Sequence, residues 1–249
     1  MKLRLLVAVG AVAGFLFLSP RASAELITLQ LDHTVPSTVS VNLGGTPISN
    51  VAPGPFSWSD KNDPPNSSFS SPIATFCIEL TGTITVGGTY VFGVYAPEDA
   101  PTIGSADKAN AIRALYGNFY NSAWTNPSFK GDNESKAFQL ALWELVHETD
   151  ATKTVSSGNF QTTSTAATRA NEMLNGLAGG LDKYNNSDYE LVALIAPAPG
   201  AKDQTPGQDQ LAVRPKSVPA PPAALLAGIG GMIFMGCSRL KRRLTPSTT

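Results

Sequence analysis

Two apolar runs, one near each end of the chain, take both ends out of any folded core and leave the middle to fold by itself. At the start, Lys2 and Arg4 precede an apolar run from Leu5 to Leu18. Pro20 then breaks the helix, and Ala22-Ser23-Ala24 offers small residues at the cleavage positions. This is the three-part pattern of a secretory signal peptide. It predicts export, with signal peptidase removing residues 1–24 and Glu25 becoming the first residue of the mature chain. The run is short for a membrane span, which needs about 20 apolar residues.

At the other end, Pro197 to Pro222 is rich in Pro, Gly, Gln and Asp and reads mostly as linker. Residues 214–222 close it with Val218-Pro219-Ala220-Pro221-Pro222. An apolar stretch from Ala223 to Cys237 follows, then the basic cluster Arg239, Lys241, Arg242 and Arg243. Residues 223–243 therefore read as a single transmembrane helix with its basic cluster, and 244–249 as a tail. The apolar segment would stall in the bilayer while the basic cluster holds its end on the cytoplasmic side, as in any single-span anchor. The order of Pro-rich signature, short Gly/Ala/Leu-rich helix and basic cluster resembles the PEP-CTERM sorting signal of Gram-negative and related bacteria. Val218, Pro219, Ala220 and Pro221 stand where that family shows Val-Pro-Glu-Pro, with Ala220 departing from its Glu. The resemblance implies recognition by an exosortase-type membrane protease, removal of the tail, and delivery to the cell surface or extracellular matrix.

Between the ends, residues 25–213 are expected to form one extracellular domain. Charged residues make up 15% of the chain and the net charge is -1, so neither nucleic acid nor an acidic substrate is implied. Frequent Gly (22) and Pro (19) with few charges suit an exported β-rich domain. Two Cys are too few for a disulfide scaffold.

Period-2 alternation marks Val39–Leu43 and Tyr189–Ile195 as strands. Residues 75–80, 83–86 and 90–95 read as three strands in series, joined at Thr81-Gly82 and Gly87-Gly88, with the last one central. Helical spacing links Ala109, Ile112, Leu115, Tyr116 and Phe119 behind Ser105 as N-cap. A second helix starts after Asp132 or Asn133 and carries Ala137 to Val146; a third runs over Ala166 to Leu177 and stops at Gly179-Gly180. Pro47 to Pro72 reads as a long loop. The expected fold is α+β: mainly antiparallel sheet, sandwich- or barrel-like, with about three inserted helices.

If both ends are removed, Cys77 is the only thiol left, and an odd Cys in an exported protein calls for an explanation. It can be a small buried hydrophobe, as free Cys often is, or the partner in an intermolecular disulfide. Gln139 alone would read as a polar residue on an exposed helix stripe. Together, however, Phe76-Cys77-Ile78-Glu79-Leu80 and Phe138-Gln139-Leu140-Ala141-Leu142-Trp143-Glu144 resemble the thioester domains of bacterial surface adhesins. Gln208-Asp209-Gln210-Leu211 matches a late segment of the same family, whereas Phe138 stands where Thr is common.

That resemblance implies a Cys77–Gln139 cross-link: a Cys thiolate attacks the Gln carbonyl and ammonia leaves. A partner amine or hydroxyl would then be acylated and the thiol freed, a single-use event and not enzymatic turnover. Phe76, Phe138 and Trp143 are the expected shield against water, with Glu144 and His147 in support. The alternatives are a structural matrix protein without a live bond and, more remotely, a thiol hydrolase with a Cys77–His147 dyad. Glu144 and Glu148, spaced i, i+4, read as ordinary helix surface. No Gly-rich phosphate loop, zinc spacing or calcium loop occurs, so neither cofactor nor metal is expected.

Overall fold

The computed structural model describes residues 25–62, 68–69, 71–126, 128–148, 153–177, 189–196 and 207–216. The signal peptide, Gly179-Gly180, the sorting signature Val218 to Pro221, the apolar run and the basic cluster lie outside the described residues. Among the described residues, no helix is long and apolar enough to cross a membrane.

Nine strands and three α-helices make up the described fold. The strands are β1 (Glu25–Thr34), β2 (Val39–Leu43), β3 (Thr46–Val51), β4 (Phe56–Asp60), β5 (Ile73–Cys77), β6 (Thr89–Tyr95), β7 (Phe160–Thr162), β8 (Tyr189–Ile195) and β9 (Gln210–Pro215). The helices are α1 (Ala106–Phe119), α2 (Asn133–His147) and α3 (Ala167–Gly176). Six strands close a barrel in the order β1-β4-β5-β9-β8-β6, every pair antiparallel, while β3-β2-β7 form a separate small sheet. Closure leaves the barrel no open edge to pair elsewhere. This fits the expected mixed fold dominated by antiparallel sheet.

Alternation explains which residues fill the barrel. Ile27, Leu29 and Leu31 of β1 are fully buried while their neighbours are not. Trp58 on β4 meets Tyr90 and Phe92 on β6 edge-on, at 5.9 and 5.5 Å, across the intervening β1. By the same period, Thr75 and Cys77 of β5 share the inward row, and Cys77 stands opposite Gln210 of β9. Phe76 points the other way, into a layer of rings from the helices: Phe138 at 4.8 Å, Trp124 at 5.5 Å and Tyr116 at 6.4 Å. β5 is thus buried on both faces.

Four sequence expectations need correction. The 47–72 loop contains most of β3 and all of β4. Residues 83–86 form no strand; the Thr85 amide donates to the Tyr90 hydroxyl at 2.7 Å instead of to a ladder. The domain runs past 213, because Arg214 and Pro215 pair with Glu190 and Tyr189. Glu144 and Glu148 are buried rather than surface residues. The Gly87 turn does form: Gly87 has φ +85°, its N–H donates to the Leu31 carbonyl of β1 at 2.7 Å, and the Leu31 N–H donates to the Gly88 carbonyl at 2.9 Å.

Candidate functional site

Helix α2 brings Gln139 to Cys77. Its start is fixed by Asp132, whose carboxylate accepts from the Ser135 amide at 2.6 Å while Ser135 Oγ accepts from the Asp132 amide at 3.2 Å. From Ala137 to Val146 every residue is buried, because α1, α3 and β7 surround the helix. Gln139 and Glu144 are the two polar residues of that otherwise apolar run, and Gln139 is 0% exposed. The exposed-stripe reading of this residue therefore does not hold.

A buried carboxamide needs partners, and Gln139 finds them on Cys77. Its Nε2 donates to the Cys77 carbonyl at 2.8 Å, and its Oε1 lies 3.7 Å from Cys77 Sγ, within reach of a weak S–H donor. Cys77 itself is 1% exposed and carries a free thiol. The backbone hydrogen bond turns the amide so that its carbonyl end faces the sulfur. The peptide unit that follows Cys77 is held from the opposite strand as well, since Ile78 N–H donates to the Asp209 carbonyl at 2.9 Å.

Burial pushes the Cys77 thiol far above its usual range; the Trp143 indole and the residue's own backbone oppose this, and the Glu79 carboxylate adds to it. The resting group is therefore the protonated thiol, and its proton must be lost during any attack on the amide. Trp143 lies one turn beyond Gln139, fully buried, with its ring 6.2 Å from Phe160. Its indole N–H has no regular hydrogen-bond acceptor among the described residues. Phe76 and Phe138 pack on each other and, with Tyr116, Tyr120 and Trp124, build an aromatic layer on the outer side of β5.

Glu144 Oε1 accepts from the Thr154 amide at 2.8 Å and Glu148 Oε2 from the Asn159 amide at 2.7 Å. The side-chain amide of Asn159 donates to the His147 carbonyl at 2.8 Å. These bonds fasten the 153–159 loop to the last turns of α2. His147 is largely buried, and burial, with Lys108 next, lowers its pKa to about 4; the Ile78 carbonyl opposes them. It is neutral at physiological pH, and no hydrogen bond joins it to Cys77 among the described residues. Among the described residues no three His, Cys, Asp or Glu side chains are grouped so as to hold a metal ion.

A second set of buried polar groups lies beside Cys77; sequence reasoning noted Gln208 and Gln210 only as part of a family-like segment and did not single out Trp58 or Thr75. Trp58 Nε1 donates to Thr75 Oγ1 at 2.8 Å, and Thr75 Oγ1 donates to Gln210 Oε1 at 2.9 Å. Gln210 Nε2 reaches Gln208, and Gln208 Nε2 donates to the Glu79 carbonyl at 2.7 Å. The signal for the missed Thr75 was a polar residue at an inward position of an otherwise apolar strand.

Comparison with known proteins finds no family model and no curated protein that matches this chain.

Proposed function

We propose that this is an exported surface or matrix protein that attaches covalently to its partner through an internal Cys77–Gln139 thioester. One observation carries the reading: a fully buried Gln whose amide bonds to the Cys77 backbone and presents its carbonyl end to the Cys77 sulfur. An apolar residue would fill that helix position at lower desolvation cost, so the amide is there for what it does with the cysteine.

The step balances without an added reagent. The Cys77 sulfur bonds to the Gln139 side-chain carbon, the carbon–nitrogen bond breaks, and the thiol proton leaves with the nitrogen as ammonia. Holding the two groups in contact supplies the effective concentration that a thiol and an amide lack in water. The product is an acyl donor. A partner amine or hydroxyl adds to the carbonyl, forms an amide or ester, and returns the proton to sulfur. Complete burial of the pair, with the buried Trp143 beside Cys77, protects the bond from hydrolysis until then. The sorting signals expected at both ends from the sequence would put such a domain outside the cell, where a covalent link resists shear and dilution.

A second reading, a structural matrix protein with no live bond, draws support from the complete burial of the pair, which also suits an inert core contact. Methylamine separates the two. The thioester reading predicts that it adds to the chain at Gln139 and exposes one new thiol at Cys77. Absence of both changes favours the structural protein.

A further inference from the structure

We propose that Gln210 is the positioning residue for the Cys77–Gln139 bond, a role that rests on the thioester reading. β5 ends at Cys77, and beyond it the backbone pairing continues only through the Ile78 amide to the Asp209 carbonyl at 2.9 Å. Two side-chain staples add to it, one on each side. Two residues before Cys77, the Thr75 hydroxyl donates to Gln210 Oε1 at 2.9 Å. Two residues after it, the Glu79 carbonyl accepts from Gln208 Nε2 at 2.7 Å. The Gln210 amide joins the two, because its Nε2 donates to the Gln208 carbonyl at 3.2 Å and lies 3.4 Å from Gln208 Oε1. Both staples therefore run through one carboxamide that is itself 0% exposed and stands opposite Cys77 on the neighbouring strand.

The consequence falls on one peptide unit. The Cys77 carbonyl must accept from Gln139 Nε2 while the Ile78 amide donates to Asp209 O, so this peptide plane has to sit square between α2 and β9. Rotating it swings the carbonyl off the Gln139 amide and moves the amide carbon away from the sulfur. Displacements of about 1 Å at a reacting pair cost up to roughly a hundredfold in rate. Among the described residues the hydrogen bonds of the Gln210 amide go to Thr75 and Gln208 and not to the reacting atoms, so it acts through the backbone that carries them.

The test compares the full chain with Gln210→Met, which keeps length and volume but lacks the amide. The readout is the fraction of molecules short of one ammonia at fixed times after synthesis. Gln210→Met is expected to form the cross-link at least about tenfold more slowly. Trp58→Phe removes the indole donor to Thr75 yet leaves both staples, and is expected to cross-link like the wild type even if it loses more thermal stability. Equal cross-linking in Gln210→Met and wild type overturns the proposal, as does a Trp58→Phe defect that simply follows its stability. If Gln210→Met does not accumulate, Gln208→Met cuts the Glu79 staple alone and is expected to slow bond formation; a wild-type rate there overturns it. A wild-type chain with the full sequence mass instead overturns the thioester reading itself.

Discussion

Buried polar side chains define the site at the scale of single residues. Replacing Gln139 with Met keeps the helix and much of the volume but leaves the Cys77 carbonyl without its donor. Such a loss costs about 1–3 kcal/mol, and the substitution is expected to abolish methylamine addition outright, as read by mass. His147 makes a pH prediction. Its folded pKa of about 4 lies below its ordinary 6.5, so above pH 6.5 it is neutral folded or unfolded and contributes no pH dependence. Between about 6.5 and 4 the unfolded chain takes a proton that the folded chain refuses, and stability falls as pH falls, by up to about 3 kcal/mol in total. Denaturant midpoints measured from pH 7 to 4 should show that slope in the wild type and a shallower one in His147→Gln. Cys77 stands out in the sequence as an odd thiol, but Gln139 reads alone as a surface residue and is paired with Cys77 only through the resemblance to thioester domains. The roles of Glu144 and Glu148 were not legible at all. Their i, i+4 spacing is the same on a surface as under a loop, and only the distant 153–159 segment decides which.

Helix α2 is the element on which the site depends, and its two ends give separate handles. Removing the Asp132 cap should cost about 1 kcal/mol, so Asp132→Ala is expected to lower the melting temperature by a few degrees. At the other end, Gly158 has φ +97°, and a Cβ there would lie 2.1 Å from Glu148 Oε2. Gly158→Ala should therefore cost more, about 2 kcal/mol or above, seen as a lower denaturant midpoint. Elements with a clear period were legible in the sequence: α1, α2, β2 and β8 follow it closely. β3 and β4 were hidden in a Pro- and Ser-rich stretch. β3 lies at a sheet edge, where Pro47 costs no ladder bond, and β4 is only five residues long. The 83–86 segment misled in the opposite direction. It alternates like a strand, but Tyr90 takes the Thr85 amide, and that contact is invisible to a local pattern.

For the whole molecule, the barrel sets the direction in which the site faces. β9 begins at Gln210, beside Cys77, and ends at Pro215, so one strand length of about 17 Å separates the site from the exit toward the C-terminal tail. Glu25 of β1 lies at that exit end too, where Arg214 donates to it at 2.6 Å and to Glu190 at 2.7 Å. Both ends of the described domain thus lie on the side opposite Cys77, an arrangement that would suit the proposed attachment. A folded protein fused after Lys216 is accordingly expected to leave methylamine uptake unchanged, whereas an insertion at the Gly87-Gly88 turn, at the Cys77 end, should reduce it.

The central claim is that the buried thiol and the buried amide become one bond. The intact mass of the exported chain, with its termini fixed by peptide mapping, tests it most directly. The mass should fall short of the sequence by one ammonia, and Cys77→Ala should restore it in full. A wild-type chain at the full sequence mass, with a Cys77 thiol that titrates on unfolding in every molecule, would contradict the account.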